Sequence, residues 1–175
     1  MRHDIDTNPA TRSRPTSTWL ATALLCACWL GSPSQAGAET LPGQVIRVID
    51  GDSLVLKVNG AQYRVELAAI DAPEANQPWG MAATDTLHRW LTGRFVVVQG
   101  HAQATQLTGQ IIFGGRDVGL DLVRDGLAWA LPGSADDPHR AAIAAAQETA
   151  RQEKRGLWSD DNPVAPWVWR AGPTR

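Results

Sequence analysis

The strongest constraint on the fold is a two-residue turn between two β-rich stretches. Asn59-Gly60 follows residues 53–58, which alternate apolar and polar positions in part, and precedes residues 63–67, which alternate more regularly. Asn and Gly both tolerate positive φ, so this dipeptide is typical of a tight β-hairpin. Residues 44–49 are also β-rich. The region therefore predicts a three-stranded meander.

The remainder of the chain alternates helix and strand signals. Helical spacing of apolar residues and glycines near the ends predict three helices. Short β-branched runs predict two further strands. Five short strands with Gly-containing turns and about three helices predict an α+β protein built on a five-stranded OB-fold barrel. The expected helices are 80–93, 117–127 and 138–155, and the expected strands are 95–98 and 110–113.

The first 38 residues have the pattern of a signal peptide. Arg12 and Arg14 precede an apolar run over residues 18–30, and Ala36-Gly37-Ala38 offers a cleavage site. The run is shorter than the roughly 20 residues that span a bilayer. We therefore expect export to the periplasm or the medium and no stable membrane span. A retained anchor and a lipoprotein signal around Cys28 are the alternatives.

Composition limits the chemistry of the mature part. Cys26 and Cys28 are the only cysteines, so residues 39–175 have neither a disulfide nor a cysteine metal site. The same residues hold 13 Lys and Arg against 16 Asp and Glu. Net negative charge does not favour nucleic-acid binding, although a local basic patch stays open. We expect a monomer with one domain over 39–162 and an irregular tail over 163–175, packed by its two indoles.

Four carboxylates follow strand ends or turns. Asp50 and Asp52 flank Gly51, and Asp71 and Glu74 lie in an Asp-Ala-Pro-Glu segment. Carboxylate oxygens suit a hard cation such as Ca²⁺. By spacing alone, an Asp-Gly turn and an ordinary strand exit or helix start explain the same residues better than a metal site does.

Four motifs resemble the staphylococcal nuclease (thermonuclease) family. They are Val-Ile-Asp-Gly-Asp-Ser at 48–53, Leu-Ala-Ala-Ile-Asp-Ala-Pro-Glu at 67–74, Val-Arg-Asp-Gly-Leu-Ala-Trp-Ala at 123–130 and Gly-Leu-Trp-Ser at 156–159. The resemblance covers about residues 42–170. It implies an OB-fold barrel with helices that hydrolyses phosphodiesters of DNA and RNA with Ca²⁺.

The resemblance assigns roles to the carboxylates. Asp52 and Asp71 match calcium ligands, Asp50 matches a nearby acidic residue, and the carbonyl of Ala72 matches a further ligand. Glu74 matches the general base. These roles fit the chemistry, because a cation neutralises a phosphate and a carboxylate can accept a proton from water.

The resemblance fails at two arginines. Glu66 stands five residues before Asp71, where the family has an arginine, and Gln106 stands where the second family arginine ends a turn. An arginine presents a fixed cationic fork to a phosphoryl group, which glutamate and glutamine do not. Arg64 shares the strand face of Glu66 and is a candidate substitute, although we favour an ordinary solvent-exposed strand residue.

Three functions remain open at this stage. The favoured one is an exported Ca²⁺-binding domain with weak or lost phosphodiester hydrolysis. The second is an active secreted Ca²⁺-dependent endonuclease for DNA or RNA that uses a substitute such as Arg64. The third is a non-catalytic binding module for a protein or cell-envelope partner.

Overall fold

A computed structural model describes residues 38–133 and 136–172. The predicted signal peptide, except for its last residue, lies outside the described residues. Within them, no helix is long and apolar enough to cross a membrane. The strands are β1 (Glu39–Val48), β2 (Ser53–Val58), β3 (Ala61–Leu67), β4 (Ile70–Asp71), β5 (Phe95–Gln103), β6 (Gln106–Phe113), β7 (Arg116–Asp117) and β8 (Trp129–Ala130). The helices are α1 (Gly80–Leu91), α2 (Val118–Arg124), α3 (Pro138–Gln152) and α4 (Pro166–Ala171).

Five strands close into a barrel. The hydrogen-bonded order is β3-β2-β1-β5-β6, and a parallel pairing of β3 with β6 closes it. The parallel register aligns Arg64 with Gln106 and Glu66 with Thr108. The predicted α+β barrel is therefore confirmed, and its closure brings Glu66 and Gln106 onto adjacent strands.

The predicted hairpin is present. Asn59 and Gly60 have φ angles of 49° and 90°, and Val58 pairs directly with Ala61. Positive φ at both central residues gives a turn whose twist matches that of the flanking strands. The turn thereby fixes which residues of β3 face inward.

Strands β5 and β6 are longer than the sequence predicts. They form one hairpin in which Gln103 pairs with Gln106, and Ala104 has a φ of 54°. Alanine rarely adopts this conformation, so the residues gave no signal for so tight a turn. As a result, Gln106 begins β6 instead of ending a longer turn.

Glycines allow β5 and β6 to approach closely. Gly100 pairs with Gly109. A Cβ on Gly100 would lie 2.1 Å from the carbonyl oxygen of Thr108, and one on Gly109 would lie 2.6 Å from that of Gln99. Both distances are well below van der Waals contact, so no side chain fits at either position.

The barrel core extends under the helices. Leu87 and Leu91 of α1 are fully buried with barrel residues such as Leu54 and Leu107. Burying each such leucine contributes about 1.5–3 kcal/mol. Asp117 caps α2 by accepting a hydrogen bond from the Leu120 amide at 3.2 Å. A buried network of apolar contacts thus holds the helices on the barrel.

The C-terminal tail is not irregular throughout, which corrects the expectation for residues 163–175. It contains the six-residue helix α4, which begins at Pro166. Proline is favourable at a first helical position because it has no amide hydrogen to satisfy. Six residues are too few to show a helical period. The Trp167 ring packs edge-on against Trp129 with centroids 5.7 Å apart.

Candidate active site

A polar cavity of about 460 Å³ lies at the end of the barrel where the β1–β2 turn meets β3 and β4. Most of the residues singled out in the sequence line it. They are Asp50, Asp52, Arg64, Glu66, Asp71, Ala72 and Glu74. Two arginines that the sequence did not single out, Arg140 and Arg170, also line the cavity, whereas Gln106 is not among its described lining residues.

The turn before β2 holds Asp52 at the cavity. The Asp50 carboxylate accepts a hydrogen bond from the Asp52 amide at 3.2 Å. Asp52 Oδ2 in turn accepts one from the Ala72 amide at 2.7 Å. The second bond joins segments 20 residues apart, and the first makes Asp50 a turn residue that positions Asp52.

Burial dominates the electrostatics of Asp52. The pKa of this carboxyl is raised from 3.8 to about 8, chiefly by burial, and the Ala72 hydrogen bond offsets only part of the effect. The hydrogen bond with Asp50 and the charges of Asp50 and Asp71 make smaller contributions to the same rise. Burial therefore has more influence on the pKa of Asp52 than either neighbouring carboxylate does.

Arg64 and Glu66 face the cavity from the same side of β3. Arg64 Nε lies 3.6 Å from Glu66 Oε1, and both side chains are about half exposed. Arg64 is an exposed strand residue that also lines the cavity. Its guanidinium group is nevertheless paired with the Glu66 carboxylate.

Arg170 of α4 binds two of the predicted functional carboxylates. Its Nη1 lies 3.1 Å from Asp71 Oδ1 and 2.7 Å from Glu74 Oε1, and its Nη2 lies 2.7 Å from Asp71 Oδ2. These hydrogen bonds raise the pKa of Arg170 further above its usual range. Sequence reasoning missed this contact, because Arg170 lies 99 residues from Asp71 along the chain.

The third arginine, Arg140, extends from α3. Its Nε lies 3.6 Å from Asp137 Oδ2, and its Nη1 donates to the Pro132 carbonyl at 3.2 Å. All three guanidinium groups at the cavity thus have protein partners. Positive charge is present in the site, but it is already paired.

The loop that carries Glu74 is fastened from both sides. Gln77 Oε1 accepts a hydrogen bond from the Glu74 amide at 3.1 Å, and Gln77 Nε2 donates to the Val164 carbonyl at 2.6 Å. A Cβ on Gly80 would lie 1.8 Å from the Glu74 carbonyl oxygen. These contacts hold the main chain of Glu74 in place. Its carboxylate binds Arg170 and stays partly exposed.

The donor set suits an oxygen-seeking cation in part. Asp52 and Asp71 offer carboxylates, and the buried Ser53 hydroxyl has no hydrogen-bond partner among the described residues. However, residues 38–133 and 136–172 contain no cluster of three or more His, Cys, Asp or Glu side chains that could hold a metal ion. A cation here would rely on two carboxylates, with main-chain and water oxygens completing its shell.

A second cavity shows that positive charge is concentrated locally. It has a volume of about 320 Å³ and lies where the end of α1 meets α2. Arg89, Arg94 and Arg116 line it together with the rings of Trp90 and Phe113, and Asp121, which also lines it, pairs with Arg116 at 2.9 Å. Net negative charge therefore does not exclude a surface with the charge and ring chemistry that nucleic acid requires.

A closed five-strand barrel with this cleft of carboxylates and guanidinium groups defines a nuclease-type domain. Residues 64–160 match the family model described as staphylococcal nuclease homologue. The chain therefore belongs to the staphylococcal nuclease family, as its sequence motifs indicated.

Curated relatives point the same way. An "uncharacterized endonuclease" of Escherichia coli O157:H7 is 37% identical over 131 residues, covering 73% of this chain and 84% of the relative. Protein ParB of Escherichia coli is 34% identical over 163 residues, covering 86% and 89%. A micrococcal nuclease of Shigella flexneri is 32% identical over 147 residues, covering 73% and 79%.

Proposed function

We propose that this protein hydrolyses phosphodiesters of nucleic acid with Ca²⁺, at a much lower rate than relatives that keep both arginines. The observation that carries the proposal is the pairing of every guanidinium group at the cavity with a protein oxygen. A paired arginine is less available to a phosphoryl group than a free one.

In the proposed reaction, Asp52, Asp71 and the Ala72 carbonyl would hold the cation, and a bound cation would supply positive charge to neutralise and polarise the phosphate. Glu74 accepts a proton from the attacking water while the water oxygen bonds to phosphorus. The bond from phosphorus to one sugar oxygen breaks, and that oxygen takes a proton from solvent. For Glu74 to act in this way, its carboxylate must first be released from Arg170.

The low rate follows from the two substituted positions. Loss of one electrostatic donor to a developing negative charge commonly costs about 10²- to 10³-fold in rate. Glu66 also adds a negative charge to the cavity wall. Gln106 is neutral, and its strand partner Arg64 is drawn towards Glu66.

Restoring the arginines tests the proposal. The variants Glu66→Arg, Gln106→Arg and their combination are assayed on single-stranded DNA with Ca²⁺ and with EDTA. We expect the double variant to cleave at least about 10²-fold faster than the wild type. The matched control combines Glu148→Arg and Gln152→Arg. It makes the same exchanges on an exposed face of α3 and should leave the rate unchanged. A wild type as fast as the double variant would contradict the proposal.

The position of Arg64 supports one alternative, an active nuclease that uses Arg64 as a substitute. Arg64 lines the cavity and is aligned with Gln106. Under this alternative, Arg64→Ala abolishes Ca²⁺-dependent cleavage. Under the proposal, it changes an already slow rate by less than about tenfold.

Export is part of the proposal and rests on the pattern of the first 38 residues. Cleavage after Ala38 would release a chain that begins at Glu39, the first residue of β1. N-terminal sequencing of protein recovered from the periplasm or the medium tests this. An intact N-terminus on the recovered protein would contradict processing.

A further inference from the structure

We infer that the guanidinium group of Arg170 competes with the cation for the same carboxylates. In the metal-free protein, α4 places this group on Asp71 and Glu74, and the bound cation displaces it. The inference rests on the proposed function, since it assumes that Asp71 is a cation ligand. It adds a competition for the cation that the residues at positions 66 and 106 do not explain.

The first step is the geometry at Asp71. Arg170 contacts both oxygens of this carboxylate and one oxygen of Glu74. The Asp71 side chain is only 10% exposed, so its oxygens have little access to other partners. A cation that binds Asp71 therefore competes with the Arg170 guanidinium group for these oxygens.

The second step is the attachment of α4. The Trp169 indole donates to Asn76 Oδ1 at 3.2 Å, and the Trp167 ring packs on Trp129. Gln77 holds Val164 from the other side. These uncharged contacts keep Arg170 next to the site when its ion pairs open, which gives it a high effective concentration.

The third step is reciprocity. If Arg170 weakens cation binding, the cation must weaken the docking of α4 by the same free energy. The Arg170 side chain is half exposed, so the coupling is modest. We expect a change in affinity of about 3- to 10-fold.

Calcium titration calorimetry of the purified protein tests the inference. Arg170→Ala should bind Ca²⁺ about 3- to 10-fold more tightly than the wild type. Arg170→Lys should fall between them, because an ammonium group cannot form the two-pronged contact. The matched control is Arg140→Ala, which removes a positive charge from the same cavity. Among the described residues, the Arg140 side chain contacts Pro132 and Asp137 and makes no ion pair with Asp71.

Hydrogen exchange gives a second measurement. Ca²⁺ should speed the exchange of the amides of residues 168–171 in the wild type and leave it unchanged in Arg170→Ala. Equal calcium affinity in the wild type and Arg170→Ala, or an equal gain in Arg140→Ala, would overturn the inference and leave the proposed function standing. Absence of calcium binding in all four proteins would overturn both.

Discussion

The side-chain amide of Gln77 donates a hydrogen bond to the carbonyl oxygen of Val164 at 2.6 Å, across 87 residues of chain. The same side chain accepts from the Glu74 amide. One buried residue thus joins the loop of the proposed base to the segment that leads into α4. The position of the Glu74 loop at the cavity therefore depends on the docking of the C-terminal tail.

Gln77→Glu should destabilise the fold. The new carboxylate keeps the acceptor for the Glu74 amide but faces the Val164 carbonyl without a hydrogen to donate. An unsatisfied buried polar group costs about 1–3 kcal/mol, more if it is charged. Urea unfolding measures the change. Gln62→Glu on the exposed face of β3 is the control, and an equal loss in both variants would contradict the role of Gln77.

Asp52 should make the metal-free protein less stable as pH rises. Its carboxyl has a pKa of about 8 in the folded state against 3.8 ordinarily, so the folded chain retains a proton that the unfolded chain has lost. This contribution to stability is full below about pH 4 and declines as pH rises towards 8.

Asp52→Asn should remove that decline, because an amide oxygen still accepts the Ala72 hydrogen bond and does not titrate. Chemical unfolding in EDTA between pH 5 and pH 7 measures it. We expect the stability of the wild type to fall relative to the variant by about 1 kcal/mol per pH unit. Parallel stability curves would show that burial does not govern this carboxyl.

Gly126 should tolerate no side chain. Its φ is +68°, and a Cβ there would lie 2.1 Å from the Arg155 carbonyl oxygen. Gly93 has a φ of +77°, and a Cβ added to it would have no heavy atom within 4 Å beyond its chain neighbours. Gly93→Ala should therefore cost only about 1–2 kcal/mol for its backbone conformation, and Gly126→Ala about 3 kcal/mol or more. Thermal unfolding compares them, and equal losses would exclude the close contact as the cause.

Trp167 should contribute more to stability than its exposed position suggests. Its ring packs edge-on against Trp129, and such pairs contribute about 0.5–1.5 kcal/mol beyond the area they bury. Trp167→Ala should lower the free energy of unfolding by about 1–2 kcal/mol. The neighbouring Val168, which is 53% exposed, is the control, and Val168→Ala should have a smaller effect. The reverse order would contradict the packing of α4.

Local patterns predicted much of the barrel. The Asn59-Gly60 turn and the apolar alternation of β3 are short-range signals, because turn geometry and side-chain facing depend on neighbouring residues. The Ala104 turn and α4 were missed for the same reason. A positive φ at alanine and a six-residue helix are favoured by strand pairing and packing, which no local pattern records.

The candidate site also has residues that the sequence predicted and a contact that only the folded chain revealed. The carboxylates Asp52, Asp71 and Glu74 and the absence of arginine at positions 66 and 106 are chemical identities, so the sequence alone determined them. Only the folded chain decided that Arg170, 99 residues from Asp71, would supply a guanidinium group to that cluster. Contacts between distant residues depend on how the barrel and the tail pack together, and residue spacing along the chain carries no record of that packing.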